Sequence, residues 1–140
     1  MEDNWSQRFL ALATLISTWS KDPSTKVGSV IVKDKRILSH GYNGFPRGVS
    51  DDHRLLDRVT KYQIVVHAEV NAILNARVPV AGATLYSTFF PCPQCAAAII
   101  QAGIKAVVSV RNPSDDRHRD AISLSQKILT EAGVQWQYLL

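Results

Sequence analysis

Only two cysteines, Cys92 and Cys95, occur among the 140 residues. That number excludes a disulfide-rich secreted scaffold, and the C-x-x-C spacing points instead to redox chemistry or a metal. No apolar run approaches the ~20 residues that a membrane span needs. The chain starts acidic (Glu2, Asp3), and the stretch from Trp5 to Trp19 is broken by Ser6, Gln7, Arg8, Thr14 and Ser17. A secretory signal requires a basic start and an unbroken apolar core, so none is expected, and the expected location is cytoplasmic. Internal repeats, low-complexity tracts and linkers are lacking as well. At 46% hydrophobic and 20% charged residues, disordered and fibrous classes are excluded. Charge of one sign is not abundant either: 16 Lys and Arg stand against 12 Asp and Glu, a net +4. Such a mild excess suits an anionic substrate such as a nucleotide and equally suits simple solubility.

Within this length one domain over 1–140 is expected, built from alternating elements. Trp5, Phe9, Leu12, Ile16 and Trp19 recur three or four apart and predict a helix over 4–20, capped by Asn4 or Asp3 and stopped at Asp22-Pro23. Val27–Val32 and Arg36–Tyr42 read as strands of a hairpin around Lys33-Asp34-Lys35. Gly44, Pro46, Gly48, Asp51 and Asp52 mark residues 43–55 as a long loop, of a length more often functional than filler. Helices are expected over 66–76, 93–102 and 118–132, and strands over 84–88, 105–110 and 134–138, with Gly133 as a helix C-cap. Strand-helix-strand crossovers favour parallel neighbours, whereas the first hairpin is antiparallel. The expected fold class is therefore α/β, a three-layer α-β-α arrangement with a mixed five-stranded sheet flanked by helices.

The cysteines find a partner in His67-Ala68-Glu69, upstream of Pro91-Cys92-x-x-Cys95. One imidazole and two thiolates make three zinc ligands, and a catalytic zinc keeps its fourth position open. Both groups fall at predicted helix N-termini, where backbone N–H groups and the helix dipole favour thiolates. Glu69, two residues from His67, is a poor fourth ligand and is better placed to move protons as general acid and base. Two other readings compete. A redox dithiol leaves His67-Ala68-Glu69 unexplained. A structural zinc requires four protein ligands, and His40, His53 and His118 have no second cysteine pair to join. The combination of H-x-E with P-C-x-x-C is the signature of zinc-dependent nucleobase deaminases, in which the glutamate is the general acid/base.

Longer segments carry a narrower likeness. Asp22-Pro23-Ser24-Thr25-Lys26-Val27-Gly28, Gly41-Tyr42-Asn43-Gly44-Phe45-Pro46-Arg47-Gly48 with Ser50-Asp51-Asp52, His67-Ala68-Glu69-Val70-Asn71-Ala72-Ile73, and Phe90-Pro91-Cys92-Pro93-Gln94-Cys95 with Ile100-Gln101-Ala102-Gly103-Ile104 together resemble the deoxycytidylate (dCMP) deaminases of the cytidine deaminase superfamily. The likeness runs from about residue 5 to 135. It implies the cytidine deaminase-like fold, a Zn2+ held by His67, Cys92 and Cys95, and hydrolysis of dCMP to dUMP with release of ammonia. It implies Asn43 at the sugar end of the substrate, and a regulatory nucleotide loop including Tyr42, Gly44 and Arg47, where dCTP activates and dTTP inhibits. Members assemble as homo-oligomers, often hexamers. One departure stands out: the loop after the fourth strand, Arg111-Asn112-Pro113-Ser114-Asp115-Asp116, lacks the aromatic residue that family members carry there. That leaves another nucleotide, a modified cytosine or a nucleoside as alternative substrates.

Further binding candidates come from position. Backbone around Ala68 and Cys92 is placed to hold the edges of a base. Lys26, Arg47, Arg77 and Arg111 are the cations near predicted loops, and Lys26 is the one assigned to the substrate; Ser24 and Thr25 offer hydroxyls. Of Phe89 and Phe90, one is expected in the core and the other at the base pocket, with Phe90 assigned to substrate. Trp5 and Trp19 are expected in the core or at a subunit contact. A tRNA adenosine deaminase shares both zinc motifs, but the basic residues here are interleaved with Asp51, Asp52, Asp115, Asp116 and Asp120 and form no basic C-terminal helix, so nucleic acid is not the expected partner. A non-catalytic zinc- or nucleotide-binding module is the alternative outside enzymes, and it gives Glu69 no purpose.

Overall fold

A computed structural model describes residues 4–139; the Asp3 cap lies outside them. Helix α1 spans Asn4–Ser17, shorter than the expected 4–20, because Thr18, Trp19 and Ser20 close onto the carbonyls three residues back and tighten into a turn. Its buried stripe is Phe9, Leu10, Ala13 and Ile16. Neither tryptophan belongs to the core. Trp5 is 38% exposed between Arg8 and Lys35, and Trp19 is 50% exposed with its ring edge-on to His40 and Tyr42.

Strands β1 (Gly28–Lys33) and β2 (Arg36–Tyr42) form the expected antiparallel hairpin. Its two-residue turn places Asp34 and Lys35 at φ 53° and 63°, the left-handed pair that matches the twist of a hairpin. β3 (Thr84–Ser87) pairs antiparallel with β1, and β4 (Ala106–Val110) and β5 (Gln135–Leu139) follow in parallel, giving the order β2-β1-β3-β4-β5. Alternate side chains enter two cores. Val30, Val32, Tyr86 and Val108 pack under α1. Ile31, Leu85 and Val107 pack under the other helices, α3 (Ala68–Asn75), α4 (Pro93–Gln101) and α5 (Arg119–Glu131). The three-layer, mixed five-stranded architecture is thus the one expected.

The connections hold what the periodicity missed. A seven-residue helix, α2 (Arg58–Ile64), follows a 3₁₀ turn at His53–Leu56, and a second 3₁₀ turn occupies Pro113–His118. α2 is too short to show a helical period; its local signal is Asp57, whose carboxylate caps Thr60. The next helix begins at Ala68 rather than Val66, because Val66 exchanges backbone hydrogen bonds with Gly44 (2.8 and 3.1 Å) and stays extended.

Candidate active site and metal centre

The cleft forms where the carboxyl end of β3 meets the first turns of α3 and α4, as open α/β sheets place their ligands. His67 is the N-cap of α3, and Ala68 and Glu69 are its first two residues. Cys92 is the N-cap of α4, Pro93 follows at its first position, and Cys95 lies on its first turn. α3 is seated against β2 by close backbone approach. A Cβ on Gly41 would collide with the main chain at Ala68 and Ala72 and come within 2.9 Å of Asn71 C. Ser39 Oγ donates to Ala72 O (2.5 Å), Asn71 Nδ2 to Tyr42 O (2.8 Å) and Asn75 Nδ2 to His40 O (3.1 Å). The glycine and asparagine of these segments therefore fix the position of His67 and Glu69.

His67 Nδ1 lies 3.2 Å from Cys95 Sγ and 3.5 Å from Cys92 Sγ, and the three donor atoms all fall within 4.8 Å of one another. Zinc bonds of about 2.0 Å to nitrogen and 2.3 Å to sulfur at tetrahedral angles set donors ~3.5 Å apart, so these residues fit the ion. Among the described residues, no fourth His, Cys, Asp or Glu joins the group, which agrees with a catalytic site and not with a closed structural one. The charges favour a cation as well. Sharing the Cys95 proton and facing His67, the Cys92 thiol is pushed down to about 4; Cys95, left holding that proton against burial and Cys92, is driven up. Cys92 in turn raises the His67 imidazole. A divalent ion relieves the repulsion that keeps the second sulfur protonated.

Glu69 is 4% exposed, and burial raises its carboxyl to about 7, against the pull of its own backbone N–H and of His67. A carboxyl poised near neutrality takes up and gives back protons with little driving force lost. The surrounding cleft is about 470 Å³, within the ~300–1,000 Å³ of small-molecule sites. Ala68, fully buried, and Glu69 line it together with His67 and Cys92.

The other candidates divide. Asn43 lines the cleft, yet its side chain already holds the neighbouring loop: Oδ1 accepts from Val27 N (2.9 Å) and Nδ2 donates to Thr25 O (2.9 Å). Ser24 and Thr25 are on the lining. Lys26 is not; its ammonium donates to the carbonyls of Ser20 (2.7 Å) and Asp22 (3.1 Å). Arg47, Arg77 and Arg111 are also off the lining, with Arg47 donating to Asn75 Oδ1 and Arg111 stacked on Tyr138. Phe90 touches the cleft but is 6% exposed and packs in the core against Trp136 and Tyr138, whereas Phe89, half-buried, and Tyr62, 63% exposed, are the aromatics of the same lining that are open to a ligand. Tyr42, Gly44 and Arg47 lie outside the cleft. Where the aromatic is missing after β4, Asp115 and His118 line the site. Sequence reading missed Lys61, a buried lysine on this lining, because its depth comes from α2.

Comparisons with known proteins agree with this geometry. Residues 3–111 match the family model of the cytidine and deoxycytidylate deaminase zinc-binding region. An uncharacterized deaminase from the luxG 3' region of Aliivibrio fischeri is 45% identical over 99% of this chain and 96% of its own. Human deoxycytidylate deaminase is 40% identical over 95% of this chain and 78% of its own. The crystal structure of dCMP deaminase from the cyanophage S-TIM5 in complex with dCMP and dUMP superposes with a TM-score of 0.83 at 30% identity, covering 99% of both chains.

Proposed function

Since this chain belongs to the cytidine and deoxycytidylate deaminase family, we propose that it hydrolyses dCMP to dUMP and ammonia, as one deaminase domain. The observation that carries the reading is the convergence of His67, Cys92 and Cys95 beside a buried Glu69 whose carboxyl is raised to about 7. In this reading His67, Cys92 and Cys95 hold Zn2+, which supplies the Lewis acidity that brings a water near neutral pKa. Glu69 takes the proton of the attacking water, delivers it to the ring nitrogen beside the amine-bearing carbon, and later passes a proton to the departing amine. Backbone at Ala68 holds an edge of the base, Phe89 offers it an aromatic surface, and Asn43 stands toward the sugar. Substrate identity draws support from the relatives named deoxycytidylate deaminase and from the S-TIM5 enzyme bound to dCMP and dUMP.

Three finer assignments belong to the same proposal: a cytoplasmic homo-oligomer, dCTP and dTTP as effectors, and the loop with Tyr42, Gly44 and Arg47 as their site. Those three residues are off the cleft lining while Asn43, between the first two, is on it, so an effector held there would sit next to the substrate site. Ammonia release from dCMP, dCTP, deoxycytidine, cytidine and tRNA tests the reaction. Turnover of dCMP above the others is expected; silence on all five with zinc bound would favour a binding module. For regulation, dCTP and dTTP at millimolar concentration are expected to move the saturation curve in opposite directions, and a curve that ignores both overturns that assignment.

A further inference from the structure

We propose that Lys61 binds the substrate phosphate and thereby sets the preference for a nucleotide over a nucleoside; this rests on the dCMP reading above. Among the described residues, Lys61 is the one lysine or arginine on the cleft lining. It is 4% exposed, and taking an ammonium this far out of water is costly unless it serves a partner. Its Nζ donates to Asp22 Oδ1 at 3.2 Å and to Ser24 Oγ at 3.0 Å. Two of its three N–H bonds are thus engaged, which leaves the ammonium one further donor.

Asp22 does not need this cation to be satisfied. Its Oδ1 already accepts from the backbone N–H groups of Ser24 (2.8 Å) and Thr25 (3.1 Å), which close the turn by themselves. Ser24 Oγ, accepting from Lys61, keeps its own hydroxyl proton to donate. The Lys61 ammonium and the Ser24 hydroxyl are therefore held together on a lining that also carries Thr25, Glu69 and the Asp22 carboxylate. A phosphate monoester dianion only accepts hydrogen bonds, and charge-assisted donors are its strongest partners. A neutral sugar hydroxyl gains far less from the same ammonium.

Wild-type and Lys61→Met enzymes, loaded with zinc, are compared on dCMP and deoxycytidine. Loss of one charge-assisted contact predicts a fall of about 100-fold in kcat/KM for dCMP, carried by KM. Deoxycytidine turnover is expected to change by no more than about threefold, and Lys61→Arg to keep most of the dCMP preference. Equal losses on both substrates would make Lys61 a structural residue and overturn the proposal. Should Lys61→Met fail to fold, Asp22→Asn carries the test, since its amide oxygen can keep both backbone hydrogen bonds. With its counter-charge removed, Lys61 is expected to lower KM for dCMP alone; no change, or an equal change for deoxycytidine, overturns the proposal. A wild type that turns over deoxycytidine as readily as dCMP would sink the dCMP reading as well, whereas a wild-type preference that survives Lys61→Met sinks only this inference.

Discussion

On the donor side of the cleft, His67, Cys92 and Cys95 sit on the first turns of α3 and α4, whose inner residues Ala72, Ala96 and Ile99 are fully buried. The remaining lining includes Asp22, Ser24, Thr25 and Lys61, carried by a loop and by the seven-residue α2, which packs chiefly on the 3₁₀ turn before it. Apolar burial and backbone contact fix the first region; the second is tied by polar side chains, Asp22 with Lys61 and Asn43 with Val27 and Thr25. The difference separates two tasks. Groups that move protons at one atom need rigid placement, because small displacements are expensive in rate. Groups that recognise an anion need charge in the right region, and a polar network supplies it at the cost of sensitivity to pH.

The sharpest test of this division is at Glu69. Glu69→Gln keeps the shape and removes the proton carrier, so kcat is expected to fall by about 10²–10⁴ while zinc content measured by elemental analysis stays at the wild-type level. Turnover near wild type would strip Glu69 of its role. Cys95→Ser acts on the ion instead: zinc is expected to drop out, activity with it, and chelation of the wild type should give the same loss, reversed by added Zn2+. Zinc retained at full occupancy by Cys95→Ser would break the three-donor assignment.

The two adjacent phenylalanines probe the boundary between scaffold and recognition. Phe90 is packed against Trp136 and Tyr138, with ring centroids 5.7 and 5.4 Å away. Phe90→Ala should therefore cost about 3–5 kcal/mol of unfolding free energy. Phe89→Ala is expected to leave stability within about 1 kcal/mol and to raise KM. Denaturant melts and saturation curves read both, and a reversed pattern would put Phe89 in the core.

The donor side was legible in the sequence because its information is local. H-x-E and P-C-x-x-C each span a few residues, and the helix start that follows each motif is written in the same stretch. The sheet was legible for a similar reason, since its strands alternate with helices long enough to show a period. The recognition side is not local. Lys61 reaches Asp22 across 39 positions, and Asn43 reaches Val27 across 16. Lys26 invited assignment to the substrate by its place in a matching segment, but two backbone carbonyls engage its ammonium. Trp5 and Trp19 kept the helical spacing of a core face, yet the sheet meets α1 through Phe9, Leu10, Ala13 and Ile16; Trp5 only edges this stripe at Phe9 (ring centroids 5.9 Å), and Trp19 lies past the helix end.

The smallest expected effect concerns the pH dependence of the recognition side. Burial alone would raise the Asp22 carboxyl, but the Ser24 and Thr25 amides and Lys61 outweigh it and hold the group below its ordinary value. A carboxyl whose folded pKa is depressed binds fewer protons folded than unfolded as pH falls through the ordinary carboxylate range near ~3.9. Its contribution is therefore complete above that range and is lost as pH drops toward the lower folded value. Denaturation midpoints are expected to decline between pH 5 and 3, and Asp22→Asn, with no proton to take up, should flatten that part of the curve while lowering the plateau at pH 7. Apolar packing makes the opposite prediction for the same experiment: the contacts of Phe90 with Trp136 and Tyr138 involve no group that titrates in acid, so Phe90→Ala should lower the curve by an equal amount between pH 5 and 3. A Phe90→Ala curve that steepens in acid, or an Asp22→Asn curve parallel to wild type, would show that the two sides are not held by different forces.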